Sequence, residues 1–150
     1  MRTWQLGSLL LVLACSDTTA AGDGSYTAAL SGSSEVPPNT SGSSGSATVT
    51  VHGSTLTYRV DANALSTPIT AGHLYLGGTK VNGVVILGLD IEAQQGRVAE
   101  GTLDISGFVT FNTSSIRGDS LRTLLSSGQA YVNIHTQAYP GGEIRGQLTR

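Results

Sequence analysis

From Tyr26 to Leu148 apolar residues recur at every second position in short runs, and each run is broken by Gly, Pro or Asn. Val49 and Val51 alternate with threonines, and Leu56, Tyr58 and Val60 resume the pattern after His52-Gly53-Ser54. This period puts alternate side chains on one face of an extended chain, so the two runs predict a β-hairpin. The same signal predicts strands at Tyr26–Leu30, Ile69–Leu76, Val84–Leu89, Leu103–Ile105 running into Gly107–Phe111, Tyr131–His135 and Ile144–Leu148. Val84–Leu89 is apolar on both faces and is expected to be the most buried strand. One segment departs from the period. Leu121, Leu124 and Leu125 sit at helical spacing, with Asp119 or Ser120 placed to cap and Gly128 to terminate, which predicts a short helix over 120–127. About eight short strands and one helix indicate an all-β fold, an immunoglobulin-like Greek-key sandwich or closed barrel.

Composition narrows what such a fold can do. Its 150 residues leave room for one domain with one modest core. Eight Lys and Arg against ten Asp and Glu give a net charge of −2, so no basic field is available for phosphates and no nucleic-acid partner is expected. Charged residues make up 12% of the chain, well below the roughly 25% of an average globular protein, as in β-proteins that work outside the cytoplasm. The single cysteine excludes an intrachain disulfide framework and any multi-thiolate metal site.

The N-terminus reads as an address. Met1-Arg2-Thr3 gives a short positive start, Leu9 to Ala14 an apolar run, and Ser16-Asp17-Thr18-Thr19 an abrupt end, the layout of an export signal over residues 1–14. The run falls far short of the roughly 20 residues of a membrane-spanning helix. Val12-Leu13-Ala14-Cys15 resembles a bacterial lipobox, which makes Cys15 the site of lipidation and the membrane anchor. Ordinary cleavage, for example after Ala20-Ala21, would instead discard Cys15 and give a secreted protein. Residues 16–24 lack apolar periodicity and are expected to be a flexible tether, with the folded domain over 25–150.

The last two strands can be read in register. With Tyr139-Pro140-Gly141-Gly142 at the turn, apolar meets apolar when Ile134 faces Ile144, Val132 faces Gly146 and Ala130 faces Leu148. The other face then carries Tyr131, Asn133 and His135 opposite Gln147, Arg145 and Glu143, so His135 and Glu143 are expected to be neighbours. His73 and Tyr75 share one face of their strand and join this polar cluster if the strand pairs nearby.

At these residues the chain resembles a known family. The segments Glu35-Val36-Pro37-Pro38, Ala47-Thr48-Val49-Thr50-Val51, Ile69-Thr70-Ala71-Gly72-His73-Leu74-Tyr75-Leu76, Ala130 to Thr136 and Pro140 to Gly146 are similar to those of the CHRD domain, first recognised in chordin and widespread in bacterial secreted proteins. The resemblance runs from about Tyr26 to Leu148. It implies an immunoglobulin-like β-fold, no settled biochemical activity, and Glu35, Asn133, His135, Glu143 and Arg145 as binding candidates. Family members often carry His-x-His where this chain has His73-Leu74-Tyr75, a departure that leaves a copper or zinc set incomplete. His73 and His135 remain as metal candidates, with Tyr75 and Glu143 as additional donors. The competing expectation is that Asn133, His135, Glu143 and Arg145 form a hydrogen-bonded ladder with no cofactor.

Other signals are weak. Arg117-Gly118-Asp119 lies at the expected helix entrance, and Asn39-Thr40-Ser41 and Asn112-Thr113-Ser114 are sequons expected by chance in so Ser- and Thr-rich a chain. Nucleophile-elbow, phosphate-loop, zincin and dinucleotide motifs are lacking from the sequence. Three readings follow: a monomeric, non-catalytic, envelope-tethered β-scaffold that binds an extracytoplasmic protein or glycan; a copper- or zinc-binding or redox protein using His73 and His135; and a purely structural envelope component.

Overall fold

A computed structural model describes residues 21–92 and 96–150. The export signal and Cys15 lie outside the described residues. In chain order the elements are β1 (Gly24–Ser31), β2 (Ser44–His52), β3 (Thr55–Asn63), β4 (Ile69–Leu76), β5 (Val85–Gly88), β6 (Arg97–Asp104), β7 (Phe108–Phe111), β8 (Ser114–Arg117), α1 (Gly118–Ser126), β9 (Ala130–Thr136) and β10 (Ile144–Gln147). Eight strands form one antiparallel sheet in the order β5-β4-β9-β10-β1-β2-β3-β6, and β7-β8 is a separate hairpin. The large sheet curls as a half-barrel. Its two ends approach each other where Ile91, just past β5, bridges Ala99 of β6. The fold is therefore all-β, and of the two expected forms the curved, barrel-like one fits a single sheet.

The predicted hairpin of β2 and β3 is present with His52 opposite Thr55, and the tight turn is made by Gly53 at φ 53°. Val49, Val51, Leu56, Tyr58 and Val60 all point inward and are buried. They meet Tyr26 and Leu30 of β1, Leu74 of β4, Val132 and Ile134 of β9 and Ile144 of β10 in one core. Helix α1 adds Leu121 and Leu125 to that core, both essentially inaccessible. The helix starts earlier than expected. Arg117 occupies the cap position without a side-chain cap bond, and Gly118 opens the helix against the Ile105 carbonyl, where a Cβ would clash. Gly128, at φ 65°, ends it by donating to Leu125 O.

Two sequence expectations are corrected here. Val84–Leu89 is not the most buried strand: β5 is an edge, and Val84 is 59% exposed. That place belongs to β9, where every residue is buried. Its core-facing residues meet the hydrophobic interior, and its polar face is covered by loops, which apolarity alone does not announce. Strand β8 and residues 97–102 of β6, neither foreseen, are also present. Gly24, the last residue of the expected tether, opens β1, and residues 16–20 lie outside the described residues. The buried Asp23 carboxylate accepts from Gly53 N at 3.0 Å and pairs with Arg122 of α1.

Candidate functional site

The central strands position the polar cluster. β9 pairs with β10 as Ile144 with Ile134, Arg145 with Asn133, Gly146 with Val132 and Gln147 with Tyr131, the register predicted from apolar matching. On its other side β9 pairs with β4, setting His73 opposite Asn133 and Tyr75 opposite Tyr131. Strand alternation therefore puts His73, Tyr75, Tyr131, Asn133, His135, Arg145 and Gln147 on one outer face. Most of this face is shielded from water: His135, Asn133, Tyr131 and Arg145 are all buried, while His73 and Tyr75 are half-buried. The segments 32–39, 77–83 and 139–142 cover it.

The cover is fastened from beneath. Arg145 extends through the layer, stacks its guanidinium 3.4 Å over the Tyr131 ring and donates to Gly78 O at 2.7 Å and Val81 O at 2.9 Å. It also reaches Asn82 Oδ1 at 3.3 Å, and Asn82 in turn donates to Val36 O at 2.7 Å, which ties the two covering loops together. Asn133 donates to Glu35 Oε2 at 3.1 Å. Glu35 Oε1 and Asn133 Oδ1 have no partner among the described residues, and both lie against Gly142, where a Cβ would come within 2.6 Å of each. Burial pushes the Glu35 carboxyl up to about 7, against the opposing pulls of the Asn133 hydrogen bond and the Arg145 charge.

Glu143 goes elsewhere. It was expected beside His135, but β10 begins only at Ile144, and the turn glycine Gly142, at φ 131°, releases Glu143 from strand alternation. Its fully buried carboxylate accepts from Ser43 Oγ at 2.6 Å, Thr136 Oγ1 at 2.6 Å, Ser41 Oγ at 2.8 Å, and Ser66 N and Oγ at 3.0 Å. Burial alone would raise its pKa, yet these donors together lower it to about 2. Glu143 therefore leaves the metal-donor set, and the expected ladder among Asn133, His135, Glu143 and Arg145 gives way to bonds from each of them to other segments.

His73 does join the cluster, as expected if its strand paired nearby. Tyr75 Oη lies 3.0 Å from His135 Nε2 and 3.4 Å from His73 Nδ1. Burial and the adjacent His135 ring hold His73 below the ordinary imidazole range, and burial pushes the Tyr75 phenol up. His52 is remote from this face, at the exposed β2–β3 turn beside Asp23. No group of three or more His, Cys, Asp or Glu placed to hold a metal occurs among the described residues.

Several partners escaped sequence reasoning. Asn39 donates to Gly142 O and Glu143 O, both at 3.1 Å, across more than a hundred residues of chain. Ser41, Ser43, Ser66 and Asn82 likewise come from Ser-, Gly- and Asn-rich stretches that read as loops. No local pattern separates them from solvated loop residues.

Beside Glu35 the two covering loops leave a cleft of about 410 Å³ lined by Ser33, Ser34, Glu35, Val36, Pro38, Thr79 and Lys80. The molecule is thus a curled antiparallel β-domain whose central polar face clamps its own loops. The family model of the CHRD domain matches residues 26–148, and the chain belongs to that family. Domains of this family are in general non-enzymatic and extracellular or secreted. No curated protein and no solved structure matches the chain. No helix among the described residues is long and apolar enough to cross a membrane.

Proposed function

We propose that the chain is an exported, non-catalytic β-scaffold, tethered to the cell envelope by lipid on Cys15, that binds an extracytoplasmic protein or glycan in the cleft between segments 33–38 and 79–80. One observation carries this reading: the walls of that cleft are fastened to each other by Asn82 and Val36 and to the sheet by Arg145 and Asn133. Loops held this way do not have to be ordered at the moment of binding, which removes a main cost of recognition. The lining mixes hydroxyls, a carboxyl, an ammonium and two small apolar side chains, the few convergent polar groups typical of a specific site.

The test has two arms. The full chain and a Val36→Asp/Lys80→Glu variant are presented to a glycan array and to cross-linking against an envelope fraction. At least tenfold weaker capture of the same ligand by the variant is the expected result, and equal capture would refute the cleft as the site. Separately, Cys15→Ser is expected to move the protein from the membrane fraction to the soluble one. A variant that stays with the membrane refutes the anchor.

A further inference from the structure

The outer face of β4 and β9 brings one phenol oxygen within reach of two imidazole nitrogens. Tyr75 Oη is 3.0 Å from His135 Nε2 and 3.4 Å from His73 Nδ1, and the two imidazole centroids are 5.3 Å apart. His135 Nδ1 is 2.9 Å from Pro140 O. A carbonyl oxygen only accepts, so Nδ1 carries the proton and Nε2 turns its lone pair toward Tyr75. This is how an outer hydrogen bond fixes the tautomer and aim of a metal-ligating histidine.

The spacing also suits a metal. Bonds of about 2.0–2.1 Å separate neighbouring donors by about 2.9 Å at right angles and about 3.4 Å at tetrahedral angles. The two observed separations fall at these limits. The rings are held in place: Tyr131 stacks on Tyr75 at 4.9 Å with an interplanar angle of 2°, and Phe111 packs edge-on against His73 at 5.5 Å. Phe111 reaches there because Gly88 opposite His73 has no Cβ to block it. His73 and Tyr75 are only partly buried, so solvent can complete the coordination.

We propose that His73 Nδ1, His135 Nε2 and Tyr75 Oη form a binding site for Cu(II). Two imidazoles and a phenolate are donors that favour Cu(II) over the other common divalent ions, with Zn(II) below it in affinity. Binding replaces the Tyr75 O–H bond by an O–Cu bond and releases that proton to solvent. His73 moves its ring proton from Nδ1 to Nε2 with no net release. No electron is transferred. The proposal is independent of the cleft, which uses neither histidine.

The experiment is calorimetric titration of the full chain with Cu(II) at two pH values or in two buffers of different ionisation enthalpy, followed by visible spectroscopy. One Cu(II) per chain with a submicromolar Kd, about one proton released and a phenolate-to-copper charge-transfer band are expected. Tyr75→Phe, which keeps the ring and its stacking, should lose the band and the proton release. His73→Ala, a change at a partly buried position, should weaken binding by at least a hundredfold, and His52→Ala should change nothing. No submicromolar binding, binding unaltered in His73→Ala, or a spectrum unaltered in Tyr75→Phe would each overturn the site. Circular dichroism of each variant identifies a misfolded one, and in that case His73→Gln at the same position decides.

Discussion

Glu143 is the residue on which most of the loop structure converges. A buried carboxylate with no cation against it survives only if hydrogen-bond donors replace the water it has lost, and here Ser41, Ser43, Ser66 and Thr136 supply them. These donors come from the β1–β2 loop, the β3–β4 loop and β9, so one side chain fastens three segments. Truncation leaves several buried donors unmatched along with a void. Glu143→Ala should therefore cost about 3–5 kcal/mol, read as a fall in the urea midpoint with unchanged slope. A loss under about 1 kcal/mol would mean that water replaces the carboxylate without penalty. Strand alternation carried back from β10 places Glu143 beside His135, but Glu143 lies one residue before that strand begins. Only the geometry of Gly142 reveals the change of direction.

Among the elements, β9 and β10 show what a sequence can and cannot disclose. Their register was legible because apolar residues must meet apolar ones on the core side, and a slip of one residue would bury the polar set there instead. Burial of the opposite face was not legible, since Tyr131, Asn133, His135 and Arg145 look like a solvated edge until the loops that cover them are seen. Likewise β8, Ser114–Arg117, carries little apolar signal and exists through its pairing with β7. Arg145 is where β10 controls a loop: its guanidinium satisfies Gly78 O and Val81 O from below. Arg145→Met keeps much of the stem's volume and removes those bonds. Amide hydrogen exchange across 77–84 should accelerate at least tenfold while the ladder of β9 with β4 stays protected. Equal acceleration in both would show Arg145 supporting the sheet rather than the loop.

Across the whole molecule, two buried carboxyls oppose each other and set the pH at which the fold is most stable. Glu35, raised to about 7, favours the folded state while it is protonated: its contribution is full below the ordinary 4.5 and is lost as pH rises through about 7. Glu143, lowered to about 2, does the reverse: its contribution is full above 4.5 and is lost as pH falls through about 2. His73, held below its ordinary 6.5, adds a further loss as pH falls from that value. Around Glu35 stand Arg145, whose charge pulls its pKa down, Tyr75, a neutral phenol in this range, and Lys80 across the cleft. Stability should therefore peak at about pH 4.5–5, where Glu143 is fully ionised and Glu35 still protonated, and decline up to about pH 7 as Glu35 ionises, with no further loss from Glu35 above that. Glu35→Gln keeps the shape and removes the titration, so its urea midpoint should show no decline from about pH 5 to 7 while its acid limb stays like the parent's. A parent curve that does not decline between about pH 5 and 7, or a Glu35→Gln curve that still declines there, would show that Glu35 is ionised and well hydrated in the fold. The loops would then be held down by Arg145 and Glu143 without it.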